Sequence, residues 1–390
     1  MKIGVDATCW QNRRGYGRHI RALFRALLDL DVENSYTFFV DSRQETESIP
    51  STAQLLFVST STPTALAAAS DGRRSLSDMW QVSQSIARSG CDLLIFPTVY
   101  SFVPVFCGAK KIVMIHDIIA EKYPQLTLPS RTAQWAWKAK VALGRWQADA
   151  IATVSEYSRQ GIADHFNIES DKIFVVNNAG DPIFRVVDQI QITPEMATVG
   201  INQSSRYVVY VGGFAPHKNL EMLVEAFAQI IREYELENVK LVLVGEYKKE
   251  VFHSYAGLIQ EQVARLHITD RVIFTGYLPD EQLVHLLNMA DVLVLPSLIE
   301  GYGSPAVEAA ACGCPIIATQ ESPLPGILGQ GGRYIDPRKP EDLRKSLTEV
   351  LTTTRIRQEM GQAGLIATSN LTWDTAAHQM LSIIHHMESK

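Results

Sequence analysis

Short apolar runs alternate with amphipathic stretches along nearly the whole chain. The runs fall at Lys2–Ala7, Tyr36–Val40, Leu93–Phe96, Lys111–Ile115 and Ala150–Val154, then at Tyr207–Val211, Lys240–Val244, Val272–Phe274, Val292–Leu295 and Pro315–Thr319. Continuous Val/Ile/Leu runs suit parallel strands covered on both faces. Between them, segments such as Arg18–Leu28 and Leu220–Leu236 carry helical periodicity. Repeated β–α alternation predicts an α/β chain with doubly wound sheets. The alternation weakens between about Asp188 and Ser205, which ends on the polar run Asn202-Gln-Ser-Ser205, and the domain linker is expected there. The strand beginning at Arg206 then restarts the pattern like the first strand of a new domain. Two domains are predicted, 1–190 and 200–373, with ligands at the carboxyl ends of their strands and in a cleft between them.

A length of 390 residues suits two domains, and 46% hydrophobic with 20% charged residues is ordinary for a globular protein. The net charge of −6 argues against a general nucleic-acid binder. The charge is uneven: residues 1–190 hold 20 Lys and Arg against 19 Asp and Glu, and residues 191–390 hold 16 against 23. Five scattered cysteines (Cys9, Cys91, Cys107, Cys312, Cys314) argue against a disulfide framework, and Cys312-Gly-Cys314 lacks the second pair a zinc site needs. The N-terminus runs straight into a strand, with no signal-peptide pattern, and no apolar run is long enough to span a bilayer. A cytoplasmic protein is expected, with peripheral contact at the inner face of the plasma membrane still compatible.

The densest chemistry lies in Glu300-Gly-Tyr-Gly-Ser-Pro-Ala-Val-Glu308, after the strand candidate Val292–Leu295. Ser304 is read as a helix N-cap and Pro305 as the first helical position. The N–H groups of Ala306 and Val307 are then expected to be free to hold a phosphate at the positive end of the helix dipole. Glu308, one turn in, suits a ribose diol, and Glu300 ahead of the loop suits a sugar ring. Two solvated glutamates flanking a capped helix is the bland alternative. A second segment, Val211-Gly-Gly-Phe-Ala-Pro-His-Lys218, places Gly212 and Gly213 at a strand end and lets Lys218 reach a diphosphate. Lys218 could equally be a surface lysine after a proline turn.

Weaker signals join these. Gly15-Tyr-Gly17 precedes the helix expected from Arg18, but Ile20 stands where the dinucleotide fingerprint needs its third glycine. Gly17 either brings backbone amides close to a phosphate or acceptor, or shapes a turn. His116-Asp117 ends a strand, where a neutral histidine suits a sugar hydroxyl or simply sits in the core. Gly276-Tyr277-Leu278 ends another, where it holds a nucleobase or only turns the chain. Asp29 and Asp31 resemble an acidic metal cluster but lie at a helix end. The segment Arg131 to Trp146 mixes Trp135, Trp137 and Trp146 with Lys138, Lys140 and Arg145. It reads as a helix that packs its aromatics inward and solvates its cations, with a membrane- or acceptor-facing helix as the alternative.

Together these residues resemble the family 4 retaining glycosyltransferases of the GT-B fold, two Rossmann-like domains, over nearly the whole chain. Glu300 to Glu308 matches that family's Glu-x7-Glu signature and Val211 to Asn219 its glycine–lysine turn. His116 matches its first-domain histidine, Val154-Ser155-Glu156-Tyr-Ser158 its serine motif, and Val175-Val-Asn-Asn-Ala-Gly180-Asp181 its segment before the linker. The resemblance implies that Glu308 binds the donor ribose, and that Glu300 with the amides of Gly301, Tyr302 and Gly303 holds the donor sugar. It implies that Ser304, Pro305, Ala306 and Lys218 hold the diphosphate, that His116 contacts the sugar, that Gly17 lies near phosphate or acceptor, and that Tyr277 and Leu278 flank the base. It further implies a metal-independent reaction without a cofactor, and a final helix, 374–390, that returns to the first domain. One departure stands out. The family commonly has an arginine where this chain has Gly213, and His217 is expected to supply part of that positive charge.

The expected activity is transfer of a hexose from a nucleoside diphosphate sugar, UDP-glucose first and GDP-mannose next, to a glycan or lipid-linked acceptor. A nucleotide-sugar epimerase on the same fold and a noncatalytic sugar-nucleotide-binding subunit are the rival readings.

Overall fold

The computed structural model describes residues 1–12, 15–42, 46–64, 75–128, 130–247 and 255–389. Their contacts divide the chain into two compact units, Met1–Asn178 with Thr372–Lys390, and Ala179–Leu371.

The first unit holds β1 (Lys2–Asp6), β2 (Ser35–Val40), β3 (Gln54–Phe57), β4 (Leu93–Phe96), β5 (Lys110–Met114), β6 (Ala150–Thr153) and β7 (Ile173–Val175). They form one sheet in the order β3-β2-β1-β4-β5-β6-β7, with parallel ladders throughout. One face is covered by the helices Gly15–Leu30 and Trp373–Ser389, which bring Ile20, Leu23, Phe24 and Leu27 against Ala376, Met380 and Ile384. The final helix therefore belongs to the core of the first unit. The other face carries Val82, Val141 and Ile162 from three further helices.

The second unit holds β8 (Arg206–Val211), β9 (Val239–Val244), β10 (Val272–Gly276), β11 (Ala290–Leu295), β12 (Ile316–Thr319) and β13 (Gly332–Ile335). The order β10-β9-β8-β11-β12-β13 is again parallel. In both sheets the strand order reverses once, between β1 and β4 and between β8 and β11. Crossovers leave such a pair in opposite directions, which opens a crevice at their carboxyl ends.

Residues 188–205, expected as the linker, pack within the second unit. The short helix Pro194–Thr198 and the residues after it bury Met196 and Ile201 almost completely. The helix expected from Leu220 to Leu236 ends at Glu233. Among the described residues, no helix is long and apolar enough to cross a membrane.

Candidate functional site

In the second unit, the crevice-forming strands β8 and β11 each lead into a loop that carries chemistry. After β8, the Gly212 N–H still donates to Val244 O (2.9 Å), and the Gly213 C=O accepts from Tyr210 Oη (2.6 Å). A single turn, Pro216–Lys218, follows. Asn219 ends it in the left-handed region, and its Nδ2 donates to Pro296 O (3.1 Å) and Pro337 O (2.9 Å). The Leu298 N–H donates to His217 O (2.8 Å). These bonds tie the lysine turn to the loop after β11.

That tie brings the two predicted residues together. Lys218 Nζ lies 2.7 Å from Glu300 Oε1, and Ser297 Oγ donates to the same oxygen at 2.6 Å. Glu300 is only 7% exposed. Burial alone would push its carboxyl up, but the Lys218 ammonium, the Ser297 hydroxyl and nearby His217 together hold it below the usual range. His217 has its pKa lowered to about 4, first by burial and then by the adjacent Lys218 charge, with Glu300 opposing. It is therefore neutral near pH 7. The charge expected of His217 in place of the family's arginine is absent, because a second cation beside Lys218 in a buried loop is disfavoured. Its Nδ1 is buried without a hydrogen-bond partner.

The helix Ser304–Ala311 starts one residue earlier than its sequence implies. Gly303, not Ser304, is the N-cap, in the left-handed region at φ 83°, and Pro305 falls in the second helical position. A Cβ at Gly303 would lie 2.8 Å from Leu324 Cδ1, so the turn requires glycine on two counts. The Ala306 and Val307 N–H groups are not free: both donate to Gly303 O, at 2.9 and 3.4 Å. The shift of the cap by one residue draws them into the first turn. Gly301, Tyr302 and Gly303 are buried, and Ser304 and Pro305 half-buried. Glu308 is 5% exposed, and its Cγ lies 3.7 Å from where a Cβ on Gly180 would sit.

At the next carboxyl end, after β10, Tyr277 is largely exposed while Leu278 is buried. Sequence reasoning missed three neighbouring rings. Phe274 stacks on Phe214 at 6.1 Å and meets the edge of Tyr247 at 5.7 Å. Phe214 and Tyr247 lie just past β8 and β9 and Phe274 lies within β10, positions too common to single them out.

In the first unit, the crevice lies between the ends of β1 and β4. The helix there begins at Gly15, so Gly17 is inside it rather than before it. A Cβ at Gly17 would lie 1.8 Å from Asn12 O. The absence of a side chain lets the post-β1 loop press against the helix, which is the turn-shaping alternative. His116, past β5, donates from Nε2 to Pro97 O (2.8 Å), which leaves Nδ1 as an acceptor. Burial keeps its pKa below the usual value, against the Pro97 bond and Asp117. Ser155 has a structural duty: its Oγ accepts from the Ser158 N–H (3.1 Å) and caps the helix Glu156–Phe166.

The profile described as Glycosyltransferase Family 4 matches residues 13–182, and the profile described as Glycosyl transferases group 1 matches residues 191–366. The chain belongs to the family 4 glycosyltransferases. This glycosyltransferase is 25% identical over 233 residues to the serotype-specific mannosyltransferase WbdA of Escherichia coli, a match covering 60% of this chain and 28% of that protein. It thus spans about a quarter of that relative's length. It is 27% identical over 243 residues to the D-inositol 3-phosphate glycosyltransferase of Segniliparus rotundus, covering 60% and 52%. Among solved structures, sucrose-phosphate synthase from Thermosynechococcus elongatus superposes at TM-score 0.76 with 18% identity, covering 100% of this chain and 99% of that one. Anabaena HepE, solved in complex with UDP and glucose, gives 0.72 with 17% identity, covering 99% and 100%. These likenesses identify the fold as GT-B.

The glycosyltransferase also holds a histidine that sequence reasoning passed over. His19, 2% exposed, meets the His116 ring edge-to-face at 4.9 Å and the Trp373 ring at 5.4 Å. Its Nδ1 lies 3.2 Å from Asn178 Oδ1. Asn178 and Thr372 are the residues of the first unit at which the chain crosses between units, so His19 touches the chain at or beside both crossings. Burial and the neighbouring His116 lower its pKa to about 3, against the Asn178 bond. Its position one turn into the first helix was readable, but its partners, about 100, 160 and 350 residues away, were not.

Proposed function

We propose that this glycosyltransferase moves a hexose, with retention and without a metal, from a nucleoside diphosphate sugar to a glycan or lipid-linked acceptor in polysaccharide synthesis. The observation that carries the reading is the buried Lys218–Glu300 pair at the β8/β11 crevice, beside the N-terminus of Ser304–Ala311. An ammonium has three donors, and Glu300 occupies one, which leaves two for diphosphate oxygens. Both bonds to Glu300 reach Oε1, so Oε2 serves a sugar hydroxyl. Glu308 takes the ribose diol, and Tyr277 flanks the base. His116 accepts from a sugar hydroxyl through Nδ1, since Nε2 is held by Pro97.

The acceptor oxygen bonds the anomeric carbon on the face the diphosphate leaves. The carbon–phosphate-oxygen bond breaks, and the acceptor proton passes to the departing phosphate oxygen. Lys218 and the helix N-terminus meet the charge that develops there. UDP-glucose is the first donor to test, supported by a fold neighbour solved with UDP-glucose. GDP-mannose comes second, supported by the mannosyltransferase relatives. Five free thiols fit a reducing, cytoplasmic compartment.

The test is donor affinity measured by calorimetry for wild type, Lys218→Ala and Glu308→Gln. A charge-assisted hydrogen bond contributes about 1.5–3 kcal/mol, so each variant should bind about 10- to 150-fold more weakly. Unchanged affinity in both variants would overturn the site. A new sugar nucleotide formed without acceptor would replace transfer by epimerisation.

A further inference from the structure

The helix Arg131–Gln147 has apolar residues on two opposite faces. The inner face is buried: Val141 lies in the core, and a Cβ on the buried Gly144 would meet Val113 Cγ1 at 3.6 Å and Phe102 Cδ1 at 3.8 Å. Trp137 is half-buried beside it, its Nε1 donating to Glu121 Oε1 at 2.7 Å. At 100° per residue, Trp135, Ala139, Ala142 and Trp146 form a second stripe that points the other way. Trp135 is 75% exposed, Trp146 71% and Leu143, at the margin, 40%. The expectation that the aromatics pack inward therefore holds for Trp137 and fails for the other two. The stripe spans about 17 Å along the helix. Past the helix end, the Gln147 side chain bonds both the N–H and the C=O of Val105 (2.9 and 3.2 Å), which ties the helix to the loop that carries the exposed Phe106.

Charge selects the occupant. The helix carries Arg131, Lys138, Lys140 and Arg145 and no acidic residue, in a chain whose net charge is −6. Arg131 and Lys138 are exposed along one margin of the stripe. Tryptophan rings beside long cations suit the boundary between headgroups and acyl chains, with the ammonium and guanidinium groups in the anionic headgroup layer. We propose that this face docks the protein on an anionic bilayer surface, with Trp135 and Trp146 entering the interface and Arg131 and Lys138 on the headgroups. The assignment is independent of the donor chemistry proposed above.

The test mixes the full chain with sedimentable vesicles of phosphatidylcholine containing phosphatidylglycerol, and with pure phosphatidylcholine vesicles. Brominated lipids report tryptophan insertion by fluorescence quenching. Binding is expected on the anionic vesicles alone and should be lost in high salt. It should weaken about 5-fold for each of Arg131→Ala and Lys138→Ala, the factor equivalent to about 1 kcal/mol per cation. Trp135→Gln/Trp146→Gln should abolish most of the quenching. Both positions are exposed, so the double variant should keep the wild-type melting temperature and nucleotide affinity. No vesicle binding, or binding and quenching unaffected by the tryptophan changes, would overturn the proposal. So would a concentration-dependent dimer abolished by the same two changes, because a second copy would then cover the face.

Discussion

Replacing Lys218 by methionine keeps the bulk of the stem and removes the ammonium 2.7 Å from Glu300 Oε1. Glu300, 7% exposed, then keeps only the Ser297 hydroxyl as a side-chain donor. Stranding one partner of a buried pair costs about 3–5 kcal/mol. The Lys218 side chain is 20% exposed, so the lower end applies, about 3 kcal/mol. For a unit of roughly 190 residues this corresponds to about 6–12 °C in melting temperature. The pH dependence identifies the cause. In the wild type the folded carboxyl lies below its ordinary value of 4.5, so its contribution is fully present above that value and fades as pH falls through the folded pKa. In the variant burial acts against weaker opposition, and the carboxyl pKa rises. The variant should therefore be most destabilised near pH 8 and should close on the wild type as the pH drops to about 5 and the stranded group takes up a proton. Lys218→Met/Glu300→Gln, with no charge to strand, should recover most of the loss at the higher pH. Calorimetry of all three proteins at the two pH values decides the matter. A loss that is the same at both, with no recovery in the double variant, would refute the account.

Two further outcomes follow from the site geometry. His19 and His217 have folded pKa values of about 3 and 4 against an ordinary 6.5, so the unfolded chain binds more protons below 6.5. Stability should fall as the pH drops from there toward 4, by up to about 1.4 kcal/mol per pH unit for each histidine, while Glu121, raised to about 6 chiefly by burial, acts in the opposite sense. Urea titrations across that window check this, and His217→Phe should flatten the profile; an unchanged slope in that variant would count against a buried neutral histidine. Gly17→Ala would set a methyl 1.8 Å from Asn12 O, a backbone atom that cannot swing aside. It should cost at least about 2–3 kcal/mol, read from the denaturation midpoint, and a wild-type midpoint would show that the loop yields freely.

The strands that were legible and those that were not differ in their place in the sheet. Central strands such as β1, β4, β8, β9 and β11 are continuous apolar runs because both faces are covered. The three that escaped notice, Gln54–Phe57, Ile173–Val175 and Gly332–Ile335, are all edge strands, short or half-polar, and their burial is partial. An edge strand has neighbours on one side only, so its composition tolerates Gln, Gly and Arg. The Glu300–Glu308 segment stood out because its glutamates, glycines and proline fall within nine consecutive residues. The cap slipped by one residue because Ser304 has the better side chain for the role, while Gly303 alone can take the left-handed backbone beside Leu324. The charge state of His217 was not legible, since it depends on burial and on an ammonium held in place by a carboxylate 82 residues away.

The return of the last helix to the first unit has a consequence for how the protein is made. The second unit is one unbroken stretch, Ala179–Leu371, and leaves the ribosome with every core residue it needs. The first unit does not. When Asn178 has been added, its sheet is whole, but Ala376, Ala377, Met380, Ile383, Ile384 and Met387, all buried in its core, have yet to be translated. At about 5–20 residues per second, that gap lasts roughly 10–40 s. For that interval the apolar faces of β1 and of the helix Gly15–Leu30 lack their cover, and the later-born unit can close before the earlier one. The same order predicts that a fragment ending at Asn178 will be recovered as aggregate, while Ala179–Leu371 will be recovered folded.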